Sequence, residues 1–423
     1  MLSATQHAAV TSDAARPLQI LAGPGSGKTR VLTSRVAWLV RDSATPIAPE
    51  RCVVVTFTNR AANEMRARLE SMIGADRTRR LVLGTFHAVC VRFLRRWGAR
   101  CLGLDPRFTI ADTDDARRLL RDVDRDADAA LSAISRAKAH GWTPDELRAS
   151  GTHAPGSPGH AEHLALCRTY AAYQQQLRAS HALDFDDLLL LGVRLFREHP
   201  ELTAHIDHVL VDEFQDTNAV QYELLCRLSP HVSVVGDPDQ SIYSWRHADM
   251  RHIERMHLDF PGLHRVLLEE NYRSTPQILD AALSVMQQDP HRLPKGLYTA
   301  SGPPVVVRAC HDADDEALLV ARDIRQHART TPYAHMSVLL RTTAHSRPFE
   351  SIFHRLNIPY RLLGGVRFFD RAEVRDLLAY LTLADNPAYT PAVLRVLNVP
   401  KRGIGPQSAQ QLANAAQHAQ VPL

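Results

Sequence analysis

The sequence predicts an α/β protein: an open parallel sheet carrying a phosphate-binding loop, interrupted by a helical block and followed by a second unit. Three observations predict it. Short apolar runs alternate with amphipathic helical stretches, the pattern of strands joined by helical crossovers. An early run, Leu18-Gln-Ile-Leu, leads through a glycine-rich loop into Lys28-Thr29 and an apolar-periodic segment (Val31, Leu32, Val36, Leu39). A later run, His208-Val-Leu-Val, ends in the adjacent carboxylates Asp212 and Glu213.

The strand–loop–helix order around Lys28 is the context a P-loop requires. The loop residues are Ala22, Gly23, Pro24, Gly25, Ser26, Gly27, Lys28 and Thr29, with Ala22 where the strict pattern has glycine. The glycines open backbone conformations that let successive N–H groups point into one concavity. The helix N-terminus adds its partial positive charge there. Lys28 is expected to reach the β/γ-phosphates and Thr29 to hold Mg²⁺. The lysines of the chain are Lys28, Lys138, Lys295 and Lys401, almost every other basic position being arginine. A compact ammonium kept at position 28 fits phosphate chemistry, where lysine and arginine do not interchange.

Composition sets bounds. At 423 residues the chain has material for about two to four domains. A net charge of +4 permits nucleic-acid binding only through a local basic surface. Cys52, Cys90, Cys101, Cys167, Cys226 and Cys310 form no CxxC pair, so free thiols in a reducing compartment are expected. The histidines lie in no convincing metal pattern; the nearest, His205 with His208, reads as surface. No run is long and apolar enough to span a membrane, and no signal-peptide pattern opens the chain, so a soluble, intracellular protein is expected.

In chain order, Leu2–Val10 opens a helix. Ser3 and Gln6 fit a capping box; alternatively, the Gln6 amide reads an adenine edge, since it donates and accepts at once. The run 51–56 is a strand ending at Thr56, Phe57 and Asn59, and the run 81–84 is a strand ending at Thr85, Phe86 and His87. Ligands collect at the carboxyl ends of such strands. Aromatics among hydroxyls and amides suit a single nucleic-acid strand, with plain core aromatics the alternative. Residues 88–200 read as mostly helical, an insertion into the first domain, with Thr113 opening one helix and two more around Leu183-Asp-Phe-Asp-Asp-Leu-Leu. The sheet resumes at 208–211, where Asp212 is expected to hold Mg²⁺ and Glu213 to activate water. The strand Val232–Gly236 leads to Gln240, a candidate γ-phosphate sensor, and to Tyr243, Trp245 and Arg246, placed to stack on bases and pair with a phosphate. A second unit begins near Asn271, with strands expected at 305–308 and 336–341. Arg273 fits an arginine finger and Tyr272 a stacking partner for adenine. A helix over 373–383 and an Ala/Gln-rich helix close the chain.

The segments AGPGSGKT, TFTNRAANEMRARL, GTFHAVCVRFLR, LDFDDLL, VLVDEFQDTNAVQ, VVGDPDQSIYSWR, LEENYRSTPQIL and GGVRFFDRAEVRDLLAYL, with Gln6, resemble in order the superfamily 1A DNA helicases of the UvrD/Rep/PcrA type. LQILAGPGSGKTRVLTSR and PKRGIGP bring a nearer likeness to the eukaryotic UvrD-like antirecombinase helicases. The resemblance implies ATP and Mg²⁺ as cofactors, and 3′→5′ movement on single-stranded DNA and at single/double-strand junctions. The setting would be repair or recombination, in the nucleus of a eukaryote or the nucleoid-side cytoplasm of a bacterium. It implies Gln6, Arg30 and Tyr272 at the adenine, and Lys28 on phosphate. Thr29 and Asp212 would hold Mg²⁺, with Glu213 as base and Gln240 and Arg273 at the γ-phosphate. Thr56, Phe57, Asn59, Thr85, His87, Tyr243, Trp245 and Arg246 would lie along DNA. It further implies a first RecA-like domain at 1–87 and 201–270, a helical insertion at 88–200, an incomplete second RecA-like domain at 271–378, and the start of another insertion at 379–423. The family's later motifs are not found in the chain, so a fragment or shortened relative is expected. An ATP- and DNA-binding module without productive unwinding is the alternative.

Overall fold

The computed structural model describes residues 2–121, 123–124, 126–151, 158–242, 247–289, 305–363 and 372–419. The strands are β1 (Leu18–Ala22), β2 (Cys52–Thr56), β3 (Val82–Thr85), β4 (Thr109–Ile110), β5 (Ala182–Leu183), β6 (His208–Val211), β7 (Val232–Gly236) and β8 (His264–Leu268). Six of them form one parallel sheet in the order β3-β2-β6-β7-β1-β8. The α/β class with its parallel sheet is as the sequence predicts, and it is consistent with a RecA-like fold.

The inner strands alternate their side chains with period two and so feed two cores, whereas the edge strand β8 buries Val266 and Leu268 on one side alone. Val53, Val55, Val209, Val211, Val232 and Val234 face one layer, which holds helices Phe86–Leu102, Phe185–Glu198 and Ala219–Leu228. Leu18, Ile20, Val54, Leu210 and Val235 face the other, which holds Ala4–Val10, Lys28–Ala37 and Asn59–Ile73. With both faces covered, the sheet can present chemistry only at its edges and ends. All the loops that carry candidate chemistry leave its carboxyl end.

The helical block forms a core of its own around Ile134, Tyr170, Tyr173 and Leu177, which Tyr389, Ala392 and Val396 join. Two polar anchors fasten that return. Asn386 Nδ2 donates to Thr109 Oγ1 (2.8 Å) and to the Ser180 and His181 carbonyls (3.2 Å each). The Tyr389 hydroxyl donates to Asp115 (2.7 Å). The helix expected to open at Thr113 is capped one residue earlier, where Asp112 Oδ1 accepts from the Asp115 amide (2.8 Å).

The chain divides into two compact units, 1–303 with 379–423, and 304–378. Residues 271–289 fall in the first unit. In the second unit, helices Ala313–His327 and Ser346–Arg355 close on Ala317, Ala321, Phe349, Ile352 and Phe353. The strands expected at 305–308 and 336–341 do not form among the described residues; both stretches are irregular. The apolar residues that predict them are there, but Val307 and Leu339 are 91% and 93% exposed. A strand needs a neighbour to take its N–H and C=O groups, and no described segment supplies one.

Candidate nucleotide site and nucleic-acid groove

β1 sits between β7 and β8, with β6 beyond β7, so four strand ends converge on the phosphate loop. Gly25 and Gly27 take φ values of +68° and +83°, the left-handed region that favours glycine. Lys28 opens the helix Lys28–Ala37, and its ammonium donates to Asp237 Oδ2 at 3.2 Å. Gln240 Nε2 donates to the same oxygen at 2.6 Å. A carboxylate thus occupies the cation and the amide together, as a phosphate oxygen would.

Asp212 follows β6 and is buried, and no ion pair reaches it among the described residues. Burial, then the neighbouring Glu213, push its carboxyl up to about 7 against the opposing pull of Lys28 and Arg68. A carboxylate whose charge is disfavoured by burial and by a neighbouring carboxylate is a group a divalent cation relieves, and with the Thr29 hydroxyl in the first turn of the helix Lys28–Ala37 the donor types fit Mg²⁺. No cluster of three or more His, Cys, Asp or Glu that could hold a metal ion occurs among the described residues.

Glu213 adopts φ 49°, ψ 46°, a left-handed conformation costing about 1–2 kcal/mol for a residue with a Cβ. Its Oε2 accepts from Gln215 Nε2 (2.9 Å), and Gln215 Oε1 accepts from the Asp237 amide (2.9 Å). Gln215 therefore ties the carboxylate after β6 to the loop after β7. Sequence reading missed Gln215 and Asp237 as site residues, although both lie inside the quoted DEFQDT and GDPDQ segments.

Gln6 forms with Ser3 the capping box that one of its sequence readings expects. Its Nε2 donates to the Ser26 carbonyl of the loop (2.9 Å). The loop helix returns the contact through Arg35, which is wholly buried and donates to the Ala9, Val10 and Ser12 carbonyls at 3.3, 3.0 and 2.8 Å. Arg30 is exposed. Tyr272 is 54% exposed and Arg273 exposed, and their backbone lies on the loop: the Tyr272 amide donates to the Gly25 carbonyl at 3.0 Å.

On the β3–β2 side, a groove of about 540 Å³ is lined by Thr56, Phe57, Thr85, Phe86 and His87, and across from them by Ser132, Ser135, Phe185 and Asp186 of the helical block. Four of the expected DNA-contact residues meet here. Asn59 is exposed at the start of the helix Asn59–Ile73 and is not in the groove lining. Thr85 spends its hydroxyl on the Ala88 amide (3.2 Å) as a helix cap. Tyr243, Trp245 and Arg246 lie outside the described residues. Phe185, 47% exposed, stands edge-on to His87 with ring centroids 5.9 Å apart. Its signal was a lone aromatic between aspartates in LDFDDLL.

The groove is acidic. Among the described residues, Asp112, Asp128, Asp184, Asp186 and Asp216 line it together with Arg117, which is bound to Asp128 (2.6 Å) and Asp114 (2.9 Å). Burial, then Asp184, raise the Asp186 carboxyl to about 6, with a Ser135 hydrogen bond and Lys138 acting against them. Behind it Lys138 bridges Asp184 (2.6 Å) and Asp187 (2.7 Å). Burial opposes that ammonium, but the two aspartates outweigh it and hold its pKa above the ordinary lysine value. His208, expected on the surface, is buried and bonded to Ser233 Oγ at 2.8 Å; burial, then Arg35, lower its pKa to about 3. No described helix is long and apolar enough to cross a membrane.

Two family models match the chain: the UvrD/REP helicase N-terminal domain over residues 2–261 and the UvrD-like helicase C-terminal domain over 266–423. The second represents the C-terminal family domain from residue 266 onward. The ATP-dependent DNA helicase PcrA of Staphylococcus aureus is 39% identical over 419 residues, covering 95% of this chain and 56% of that protein. The PcrA of Staphylococcus epidermidis gives the same figures. The chain thus spans about half the length of these relatives, which are bacterial and lend no support to the nearer eukaryotic likeness or to a nuclear location. With both family models matched in order, the chain belongs to the UvrD/REP helicase family.

Proposed function

We propose that the chain hydrolyses ATP to move 3′→5′ along single-stranded DNA, acting at single/double-strand junctions in repair or recombination. One observation carries this reading: Lys28, Gln240, Asp237, Gln215 and Glu213 are linked side by side at the strand ends, and the groove with Phe57, His87 and Phe185 opens on the same end of the sheet.

Lys28 and the loop amides take the phosphates. Thr29 and Asp212 would hold Mg²⁺, which when bound neutralises phosphate charge. Glu213, steadied by Gln215, orients and deprotonates the attacking water. Gln240 and Arg273 meet the γ-phosphate, and Gln6, Arg30 and Tyr272 the adenine. Phosphate entering the loop competes with Asp237 for Lys28 and Gln240, which connects nucleotide occupancy to the β7 loop. Phe57, His87 and Phe185 hold bases by stacking, worth about 1–3 kcal/mol per base, a grip that can be released at each step. The four-part division into two RecA-like domains with two insertions, and a cytoplasmic, nucleoid-side setting, complete the proposal.

The test is single-turnover hydrolysis with and without single-stranded DNA, paired with unwinding of duplexes bearing a 3′ or a 5′ tail. Glu213→Gln should bind ATP and DNA yet lose turnover, and only the 3′-tailed duplex should be opened. Opening of the 5′-tailed duplex alone refutes the polarity. A second reading, a module that binds ATP and DNA without unwinding, draws on the irregular 305–308 and 336–341 stretches; binding of both ligands with no turnover, unchanged by Glu213→Gln, would establish it.

A further inference from the structure

The segment after β8 is laid on the phosphate loop by one side chain. Asn271 is only 3% exposed although Tyr272 and Arg273 beside it face solvent. Its Oδ1 accepts from the amides of Arg273 (2.8 Å) and Ser274 (2.7 Å), which closes a tight turn. Its Nδ2 donates to the Pro24 carbonyl of the phosphate loop. The backbone continues the contact, with the Tyr272 amide on the Gly25 carbonyl (3.0 Å) and the Gly23 amide on the Leu268 carbonyl (2.9 Å). The fit leaves no slack: a Cβ on Gly25 would stand 2.5 Å from Asn271 Nδ2 and 2.7 Å from Arg273 Cβ.

Only an amide does both jobs. One end must accept from two N–H groups while the other donates to a carbonyl. We propose that Asn271 is a positioning residue for phosphoryl transfer: it locks the Arg273 backbone in register with the phosphate loop, so that the guanidinium is delivered to the terminal phosphate. The inference rests on the reading of Arg273 as the arginine finger. A displacement of about 1 Å at a reacting centre can cost about 10²-fold in rate, and the long arginine side chain leaves its backbone as the one fixed point.

Asn271→Asp is the discriminating variant. It keeps the acceptor for the turn and sets a carboxylate oxygen against the Pro24 carbonyl. The full chain is compared as wild type, N271D, R273A and the double variant, by DNA-stimulated kcat, affinity for mant-ADP and melting temperature. The expected result is a fall in kcat of about 10–100-fold for N271D, mant-ADP affinity within about twofold, and no further loss when N271D is added to R273A, the mark of two residues acting as one unit. A readout free of turnover accompanies it: AMP-PNP should shield Arg273 from phenylglyoxal in the wild type and fail to do so in N271D, read by peptide mass spectrometry. Wild-type kcat with intact shielding in N271D overturns the proposal, as does a loss that adds in full to that of R273A. If R273A alone leaves kcat unchanged, the finger reading falls, and this inference with it.

Discussion

Lys28 and Lys138 are both ammonium groups held by aspartates, and they differ in what they face. Lys28 shares Asp237 with Gln240 at the mouth of the phosphate loop, whereas Lys138 is sealed between Asp184 and Asp187 under the groove. The scarcity of lysine pointed to phosphate at position 28. The same scarcity says nothing of phosphate at 138, where a compact cation fits a buried slot. Lys138→Met should destabilise the protein by about 3–5 kcal/mol, because it strands two aspartates without their counter-charge; thermal unfolding checks this, and an unchanged midpoint contradicts the role given to the pair. Asp186 gives a pH test. Its carboxyl, raised to about 6, is neutral below that value and charged above it. A charged carboxylate in the groove repels a phosphate-bearing strand. Affinity for oligo-dT should therefore fall by about 3–10-fold as pH rises from 5 to 7.5. Asp186→Asn should hold the tighter value throughout.

At the scale of elements, β1, β2, β3, β6 and β7 were legible because they are short and apolar, and Asp212 and Glu213 because they follow a strand directly; β8 was not expected. Asp212, Glu213 and the P-loop needed no tertiary knowledge. Gln215, Asp237 and Phe185 were not legible as site residues, since their roles come from cross-strand neighbours: Gln215 gains meaning only when β7 lies beside β6, and Phe185 only when the helical block faces His87. The expected strands at 305–308 and 336–341 failed for a complementary reason. Their local pattern is right, yet a parallel strand is defined by a partner that local pattern does not contain. Phe185→Ala should weaken single-strand binding by about 1–3 kcal/mol and leave mant-ADP binding unchanged, as fluorescence titrations with both ligands would reveal; equal binding by the variant removes Phe185 from the DNA path.

At the scale of the molecule, the net charge is +4, yet the described lining of the groove is rich in aspartate and is not the local basic surface the composition called for. The grip on DNA is assigned to stacking and hydroxyls, and few phosphates are neutralised. The slope of log affinity against log salt should be shallow, corresponding to about two phosphate contacts on a single strand; a steep slope would place the strand on an arginine surface elsewhere. The nucleotide loop and the groove share one compact unit, 1–303 with 379–423, so their coupling can be measured directly. The decisive measurement is steady-state ATP hydrolysis by the chain, with and without oligo-dT, beside Lys28→Ala. The account predicts a rate that rises several-fold with oligo-dT and vanishes in the variant. A basal rate that ignores oligo-dT and equals that of Lys28→Ala would contradict it.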